Sequence, residues 1–209
     1  MLFRSTAEIL KSYHDAGIRN IMALRGDLPN GAGRCGDFKY AVELVSFIRR
    51  EFPEMAIGVA GFPEGHPDTP NRFLEMDYLK AKVEAGADYI CTQLFFDNRD
   101  FYDFRERCIL HGIKVPVIAG MMPISSKKNL YKMAECAGGA RFPAGLLKSI
   151  KRAGDRDDLL ANVGVQWLSE QVRDLLATGV AGLHFYTMNK AECILDVCRY
   201  TGISSSEAL

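Results

Sequence analysis

Charged and polar side chains stand at the ends of several apolar runs in this sequence. The run Asn20–Leu24 stops at Arg25-Gly26-Asp27, where a guanidinium and a carboxylate flank a small flexible residue. A second run, Ile57–Gly61, leads directly into Phe62-Pro63-Glu64-Gly65-His66, and Gln93 and His184 stand near the ends of later runs. In parallel α/β sheets, ligands bind at the carboxyl ends of the strands. These residues therefore predict a ligand site at that edge. The Arg25-Gly26-Asp27 turn alone is equally typical of a surface turn in which Asp27 is a cap.

The apolar runs alternate with helical patterns along the chain. Each run is short and nearly all apolar, as expected for a strand that is buried on both faces. The predicted strands are Asn20–Leu24, Ile57–Gly61, Ala87–Asp97, Val115–Gly120 and Gly182–Thr187. The predicted helices are Thr6–Ala16, Ala41–Phe52, Asn71–Gly86, Arg99–His111, Lys127–Cys136, Ala144–Lys151, Asp158–Thr178 and Lys190–Tyr200. Strands that are each followed by a helix, with one helix before the first strand, predict a parallel sheet covered on both faces.

Two architectures fit this alternation. A doubly wound sheet is complete with five strands, but the Gly-x-Gly-x-x-Gly fingerprint of dinucleotide-binding domains does not follow the first strand. A (β/α)8 barrel needs eight strands and typically about 250 residues, so this chain is short by about three βα units. The leading helix favours the barrel, because such a helix is expected to follow a strand.

Composition restricts the class of partner. The chain carries 26 basic and 26 acidic side chains, so no net positive charge points to nucleic acid, and we expect small-molecule partners. The six cysteines form no Cys-x-x-Cys pair, which favours free thiols in a reducing cytoplasm over disulfides or zinc. Neither an apolar run of about 18 residues nor a signal-peptide pattern is found. We expect a cytoplasmic protein without a metal or a membrane partner, and a homo-oligomer remains open.

Five motifs occur in order along the chain: Leu24-Arg25-Gly26-Asp27-Leu28-Pro29, Pro63-Glu64-Gly65-His66-Pro67, Lys82-Val83-Glu84-Ala85-Gly86-Ala87-Asp88, Thr92-Gln93-Leu94-Phe95-Phe96-Asp97 and His184-Phe185-Tyr186-Thr187-Met188-Asn189. Together they resemble the motifs of the bacterial-type, FAD-dependent methylenetetrahydrofolate reductases. The resemblance extends from about Thr6 to Gly202. It implies a (β/α)8 barrel that binds FAD at its carboxyl face. It also identifies residues 1–209 as a catalytic-domain fragment, an N-terminally incomplete barrel with five predicted strands.

The resemblance implies roles for individual residues. FAD contacts are implied for Arg25, Gly26, Asp27, Ala41, Phe62, His66, Glu75, Tyr78, Lys82 and Ala87. Substrate contacts are implied for Asp27, Gln93, Asn129 and Lys190. In this family the aspartate stabilises the cationic 5-iminium form of the folate, a role that suits a fixed carboxylate in a water-poor site. Lys82 suits the FAD pyrophosphate as a cation. Gln93 would contact folate and nicotinamide, and Lys190 would meet the carboxylate tail of the folate.

Several positions depart from the family pattern. Phe62, Glu75, Tyr78 and Ala81 stand where the family often has tyrosine, aspartate, asparagine and a basic residue, respectively. The family's first three βα units have no counterpart here. They include a Phe-Glu-Phe-type strand whose glutamate is the proposed general acid, so the resemblance assigns that role to no residue of this chain.

The activity that the resemblance implies belongs to one-carbon metabolism and methionine biosynthesis. NADH or NADPH would reduce FAD, and the reduced flavin would convert 5,10-methylenetetrahydrofolate to 5-methyltetrahydrofolate. One alternative is a non-enzymatic remnant that keeps the motifs but cannot hold flavin. A second alternative, an unrelated metal-dependent barrel enzyme, is disfavoured because no His, Asp and Glu residues cluster with metal-ligand spacing.

Overall fold

The computed structural model describes residues 2–26, 38–136 and 140–204, with side chains from residue 6 onward except that of Cys136. Its helices are α1 (Leu2–Asp15), α2 (Ala41–Glu51), α3 (Arg72–Glu84), α4 (Asn98–Leu110), α5 (Lys127–Cys136), α6 (Ala144–Ala153), α7 (Asp157–Ala177) and α8 (Glu192–Thr201). Its strands are β1 (Asn20–Ala23), β2 (Ala56–Gly61), β3 (Tyr89–Thr92), β4 (Val117–Met121) and β5 (Leu183–Phe185).

The five strands form one parallel sheet in the order β1-β2-β3-β4-β5. A doubly wound sheet contains a point where the strand order reverses, and this sheet has none. The strands instead curve into a half-barrel, with helices on the outer side. The predicted fold class, an incomplete (β/α)8 barrel with five parallel strands, is therefore confirmed.

The main core lies between the sheet and the helices that cover its outer face. Ile57 and Val59 of β2 and Ile90 of β3 are completely buried, and Phe101 and Phe104 of α4 pack with them in the same cluster. Burial of an apolar side chain of this size contributes about 1.5–3 kcal/mol. The apolar composition of the strands thus fixes which elements lie against the sheet.

The inner face of the sheet is less closely covered than the outer face. Met22 of β1 remains 37% exposed on this side. At Gly58 of β2, an added Cβ atom would lie 2.4 Å from the Tyr89 ring and 2.7 Å from Met22 Sδ. The position requires glycine because the side chains of both neighbouring strands approach its backbone.

β3 is shorter than predicted, since it spans Tyr89–Thr92 rather than Ala87–Asp97. The backbone N–H of Gln93 still donates to the Gly61 carbonyl at 2.8 Å, but Gln93 Oε1 accepts the N–H of Leu94 at 2.9 Å. A side chain that takes up the next backbone donor competes with strand pairing. Gln93 therefore lies just after the strand and not within it.

β4 is followed by three helices, α5, α6 and α7, as predicted. These helices enclose a second apolar cluster made of Leu94, Phe96, Ile124, Met133 and Leu146. α7 crosses the chain after β4 so closely that a Cβ atom at Gly164 would lie 1.9 Å from the Ile124 carbonyl oxygen. The loop after β4 is thus packed directly against a helix backbone.

No helix in the described part of the chain is long and apolar enough to cross a membrane. Cys91, Cys108, Cys193 and Cys198 are free thiols, as predicted. Cys35 and the side chain of Cys136 lie outside the described residues.

The close approach at Gly164 leads to a stability prediction. Gly164→Ala should destabilise the protein by about 1–3 kcal/mol, because backbone atoms must move to admit a methyl group. Gly145→Ala in α6 is the matched control, since its nearest neighbour is the Trp167 ring at 3.6 Å. That control should be neutral or stabilising by about 0.5–1 kcal/mol. Urea denaturation of both variants checks the prediction, and equal effects would contradict the packing described here.

Candidate functional site

The carboxyl end of β1 carries the first candidate residues. Arg25 Nη2 lies 4.0 Å from Asp68 Oδ2, and Arg25 Nε donates to the Gly26 carbonyl at 3.2 Å. Gly26 has φ +76°, a left-handed conformation that glycine adopts without strain. Asp27, the predicted catalytic residue, lies outside the described residues. Arg25 therefore connects the end of β1 with the loop that follows β2.

The loop after β2 places Phe62 and His66 side by side. Their ring centroids are 4.6 Å apart, in an edge-to-face arrangement. His66 Nδ1 accepts the backbone N–H of Asp68 at 3.1 Å, which orients the ring within its own loop. The backbone N–H of His66 also donates to the carboxylate of Glu75, in the first turn of α3. The loop and α3 thus bring Phe62, His66 and Glu75 together, as the resemblance implied.

Lys82 reaches the same region from the last turn of α3. Its Nζ donates to the Ala60 carbonyl at 2.7 Å, one residue beyond Val59, the last residue of β2 that pairs with β1. Side chains on a helix tilt toward its N-terminus, so a lysine from the last turn can reach the end of the neighbouring strand. Burial lowers the pKa of Lys82 to about 8, and the negative charge of Glu75 opposes this shift.

Glu75 is a buried carboxylate that faces several cations. Burial raises its pKa, while the His66 N–H and the charges of Arg107, Lys82 and Arg72 act in the opposite direction. Glu75 Oε2 lies near Gly65, but Oε1 is buried without a hydrogen-bond partner. A buried acceptor without a donor is costly in a folded protein. Glu75 Oε1 is therefore a group that a ligand hydroxyl could satisfy.

Gln93 follows β3 and is tied to the end of β2. The Gln93 backbone N–H donates to the Gly61 carbonyl, and its side-chain carbonyl accepts the Leu94 N–H. The amide is partly buried and takes part in the local backbone hydrogen bonding. The Gln93 side chain therefore helps to form the turn that follows β3.

β5 contributes His184, and Tyr186 follows the strand directly, on the same side as His184, as their spacing predicts. Their ring centroids are 4.7 Å apart. Tyr186 Oη donates to the Thr92 carbonyl at 2.9 Å, across the intervening strand β4. The contact passes Gly120, where an added Cβ atom would lie 2.0 Å from the Thr92 carbonyl oxygen. Burial raises the pKa of Tyr186, so it remains a neutral hydrogen-bond donor.

One of the implied FAD contacts, Ala87, lies apart from this group. Ala87 is a core residue at the amino end of β3. At about 3.3 Å per residue, it lies on the order of 20 Å along the chain from Gln93. Tyr78 is 55% exposed on α3, and Ala41 is the first residue of α2. The structure does not bring Ala87 to the carboxyl ends of the strands.

Two of the implied substrate contacts lie on other elements. Asn129 in α5 accepts the backbone N–H of Ser125 at 2.9 Å and so stabilises the turn before its own helix. Lys190 is exposed after β5, directly behind Met188 and Asn189, which both have positive φ values. Non-glycine residues with positive φ often occur at functional sites. Both residues stay predictions as substrate contacts.

The sequence analysis missed the charged residues that connect these loops. Arg107 donates to the Pro63 carbonyl at 2.9 Å, and Arg141 contacts both Glu64 and Asp100. No local pattern marks these residues, because their partners lie 41 to 77 positions away in the sequence. Within the described part of the chain, no three His, Cys, Asp or Glu side chains are grouped as metal ligands.

The half-barrel and the polar groups at its strand ends place this chain among the (β/α)8-type proteins that bind ligands at the carboxyl face. A family model described as "Methylenetetrahydrofolate reductase" matches residues 3–202. The chain therefore belongs to the methylenetetrahydrofolate reductase family.

Individual relatives agree with this assignment. The 5,10-methylenetetrahydrofolate reductase of Escherichia coli K12 is 37% identical over 195 residues, which cover 93% of this chain and 64% of that protein. Methylenetetrahydrofolate reductase (NADH) 1 of Arabidopsis thaliana is 36% identical over 208 residues, covering 93% of this chain and 35% of that protein. The chain thus spans less than two thirds of the length of these relatives.

A solved structure is similar in fold. It is an uncharacterized protein from Clostridium thermocellum that binds two copies of 5-methyl-5,6,7,8-tetrahydrofolic acid. The TM-score is 0.55 at 18% sequence identity, and the match covers 78% of this chain and 59% of that chain. This likeness supports the fold alone.

The environment of Lys82 predicts an unusual titration. In protein labelled with 13C at lysine Cε, one resonance should titrate near pH 8, because burial disfavours the charged ammonium. Lys82→Met should remove this titration. Lys80→Met is the matched control on the same helix, since Lys80 is 45% exposed and lies 3.9 Å from Glu84. The control should retain the titration near pH 8, and its loss there would contradict the assignment.

The same pKa predicts how stability changes with pH. The pKa of Lys82 is about 8 in the folded protein and near 10.5 in the unfolded chain, so the unfolded chain binds more protons between these values. The contribution of Lys82 to stability should therefore rise with pH across that window. Urea denaturation should show the free energy of unfolding of the unmodified protein rising relative to that of Lys82→Met. A difference that falls or stays constant would contradict the lowered pKa.

Proposed function

We propose that this chain acts in the reduction of 5,10-methylenetetrahydrofolate to 5-methyltetrahydrofolate, with FAD as cofactor and NADH or NADPH as hydride donor. The observation that carries the proposal is the arrangement of Arg25, His66 and Lys82 at the ends of β1 and β2 in a member of this family. When bound, FAD supplies hydride transfer between the nicotinamide and the folate. The name of the Arabidopsis relative favours NADH as the donor.

The chemistry of the residues around β2 fits a dinucleotide cofactor. Lys82 is a partly buried cation, and burial lowers the pKa of its ammonium group. An anionic pyrophosphate beside its ammonium would favour the charged form, as any opposite charge nearby does. The unpartnered Oε1 of Glu75 could accept a hydrogen bond from a sugar hydroxyl. Lys82, Arg25 and His66 would therefore hold the phosphate side, and Glu75 the sugar side.

The residues proposed for the folate follow from the same edge of the sheet. Asp27 comes directly after Gly26 in the sequence and would place a carboxylate at the end of β1. A fixed carboxylate in a site with little water stabilises positive charge on a bound substrate. Gln93 would contact the folate through its side-chain amide, and Asn129 and Lys190 would meet more distant parts of the folate. Membership of the methylenetetrahydrofolate reductase family supports this substrate class.

We place the protein in the cytoplasm. Its four described cysteines are free thiols, which suits a reducing compartment. The alternative to an enzyme is a family member that keeps the fold but does not hold flavin. Flavin binding distinguishes the two functions directly.

A titration of FAD against the purified chain tests the proposal. Flavin fluorescence should be quenched on binding, and NADH should bleach the flavin absorbance under anaerobic conditions. Lys82→Met should raise the Kd for FAD about 10- to 100-fold, because a hydrogen bond to a charged group contributes about 1.5–3 kcal/mol. Lys80→Met should leave the Kd unchanged. A chain that binds no FAD would favour the non-enzymatic alternative.

Asp27 and Gln93 should differ in the half-reactions that they affect. Asp27→Asn should keep FAD and slow folate reduction by about 10²–10³, the usual effect of removing one preorganised electrostatic group. Gln93→Ala should slow both half-reactions, because both substrates would use the same face of the flavin in turn. Stopped-flow absorbance measures each half-reaction separately. Intersecting rather than parallel double-reciprocal plots would show that both substrates bind together and would contradict a shared face.

A further inference from the structure

Arg141 bridges two buried carboxylates near the carboxyl ends of β2 and β3. Its backbone N–H donates to Glu64 Oε2 at 2.6 Å, and its guanidinium contacts Asp100 Oδ1. The side chains of Glu64 and Asp100 are only 12% and 9% exposed, whereas that of Arg141 is 64% exposed. The bridge thus joins the loop after β2 to the first turn of α4 through a residue far along the chain.

The residues next to Arg141 are held against the segment that follows β3. The Phe142 ring stacks on Phe96 with 4.4 Å between the centroids, and Trp167 Nε1 donates to the Phe96 carbonyl at 3.0 Å. We call residues 140–142 the strap. The strap contacts the loop after β2 at Glu64 and the chain after β3 at Phe96, so it connects the two segments that carry His66 and Gln93.

The bridge is not fully satisfied as a stabilising contact. Glu64 Oε1 and Asp100 Oδ2 are both buried and have no hydrogen-bond partner. Burial raises the pKa of Glu64, against the effect of Arg141. An unsatisfied buried polar atom costs about 1–3 kcal/mol. The bridge therefore leaves one oxygen of each carboxylate without a donor.

The loop after β2 has other anchors, but they come from the helices. Arg107 of α4 holds the Pro63 carbonyl, and Glu75 of α3 holds the His66 N–H. Arg141, through its contacts with Glu64, joins residues 62–66 to the strap. The start of the loop is tied to Gln93 through the Gly61 carbonyl, and Arg141 adds a contact further along the loop, at Glu64.

We propose that Arg141 is a positioning residue that fixes residues 62–66 relative to Gln93. In this arrangement Phe62 and His66 on one side and Gln93 on the other face a common site at a set separation. The effect of this separation on ligand binding rests on the proposed function, whereas the bridge between Glu64, Arg141 and Asp100 does not.

Amide hydrogen exchange on the ligand-free chain tests the bridge. Arg141→Met is combined with Asp100→Asn, because Arg141→Met alone would leave a buried unpaired charge. Glu64→Ala removes the acceptor of the Arg141 N–H, so the Gly65 and Thr69 amides, which donate to Phe62 and His66, should exchange at least about tenfold faster. The double variant keeps the backbone N–H of residue 141 and should show a smaller increase. Arg141→Lys keeps the positive charge, so in this variant the Gly65 and Thr69 amides should keep most of their protection from exchange. The amides of α7 and the free energy of unfolding show whether the change is local.

Arg99→Met is the matched control for these variants. Arg99 is 85% exposed and pairs with Asp97 at the start of the same helix that carries Asp100. It should leave exchange at Gly65 and Thr69 unchanged. Unchanged exchange in the Arg141 and Glu64 variants, or an equal increase across α7, would overturn the proposal.

FAD binding measured by fluorescence then tests the positioning role. Glu64→Ala should raise the Kd for FAD about tenfold and the double variant less, and combining them should add little to the effect of Glu64→Ala, because both weaken the same connection to the strap. Faster loop exchange with an unchanged Kd would overturn the positioning role. A chain that shows protected loop amides but binds no FAD would overturn the proposed function while leaving the bridge supported.

Discussion

Parallel pairing of strands in sequential order is the constraint on which the rest of this structure depends. Each strand must start at the same edge as its neighbour, so every loop that follows a strand emerges at one edge of the half-barrel. The polar groups after β1, β2 and β3 are far apart in sequence, yet pairing brings their loops together. The contacts from Arg25 to Asp68 and from Gln93 to Gly61 are direct results of this order. A reversal anywhere in the strand order would separate them.

The second feature of the site is the burial of charge beside the sheet. Lys82 and Glu75 both occupy environments that disfavour their charged forms, and each partly offsets this effect on the other. Removing charges from water is costly unless partners satisfy them. Lys82 satisfies the Ala60 carbonyl, whereas one oxygen of Glu75 remains without a donor. A ligand that carries both an anionic group and hydroxyl groups would complement this pair, as the proposed dinucleotide cofactor does.

The sequence indicated some residues of the candidate site but not others. Phe62, His66, Glu75 and Lys82 were implied by motifs, and the structure brings them into one group. Ala87 was implied by the same motifs, yet it lies in the core at the opposite end of β3, because a motif records spacing along the chain and not the edge of the sheet where a residue lies. Arg141 and Asp100 carry no motif, and their contact arises from the packing of distant segments. Gln93 was expected inside a strand, but its own side chain takes up the next backbone donor and ends the strand at Thr92.

The sequence by itself determined the alternation of apolar strands and amphipathic helices, and hence the parallel α/β class. It determined this because local periodicity and the end signals of helices depend on neighbouring residues only. Periodicity left open the choice between a doubly wound sheet and a half-barrel, since strand order is a matter of pairing between segments some 30 residues or more apart, as in a βαβ unit. The motifs implied the barrel, and the strand order of the tertiary structure confirmed it. The tertiary structure also decided which charges are buried. The pKa of Lys82 is lowered to about 8 because the packed helices and sheet exclude water from its ammonium group. Arg141 connects two loops because the same packing brings distant segments together.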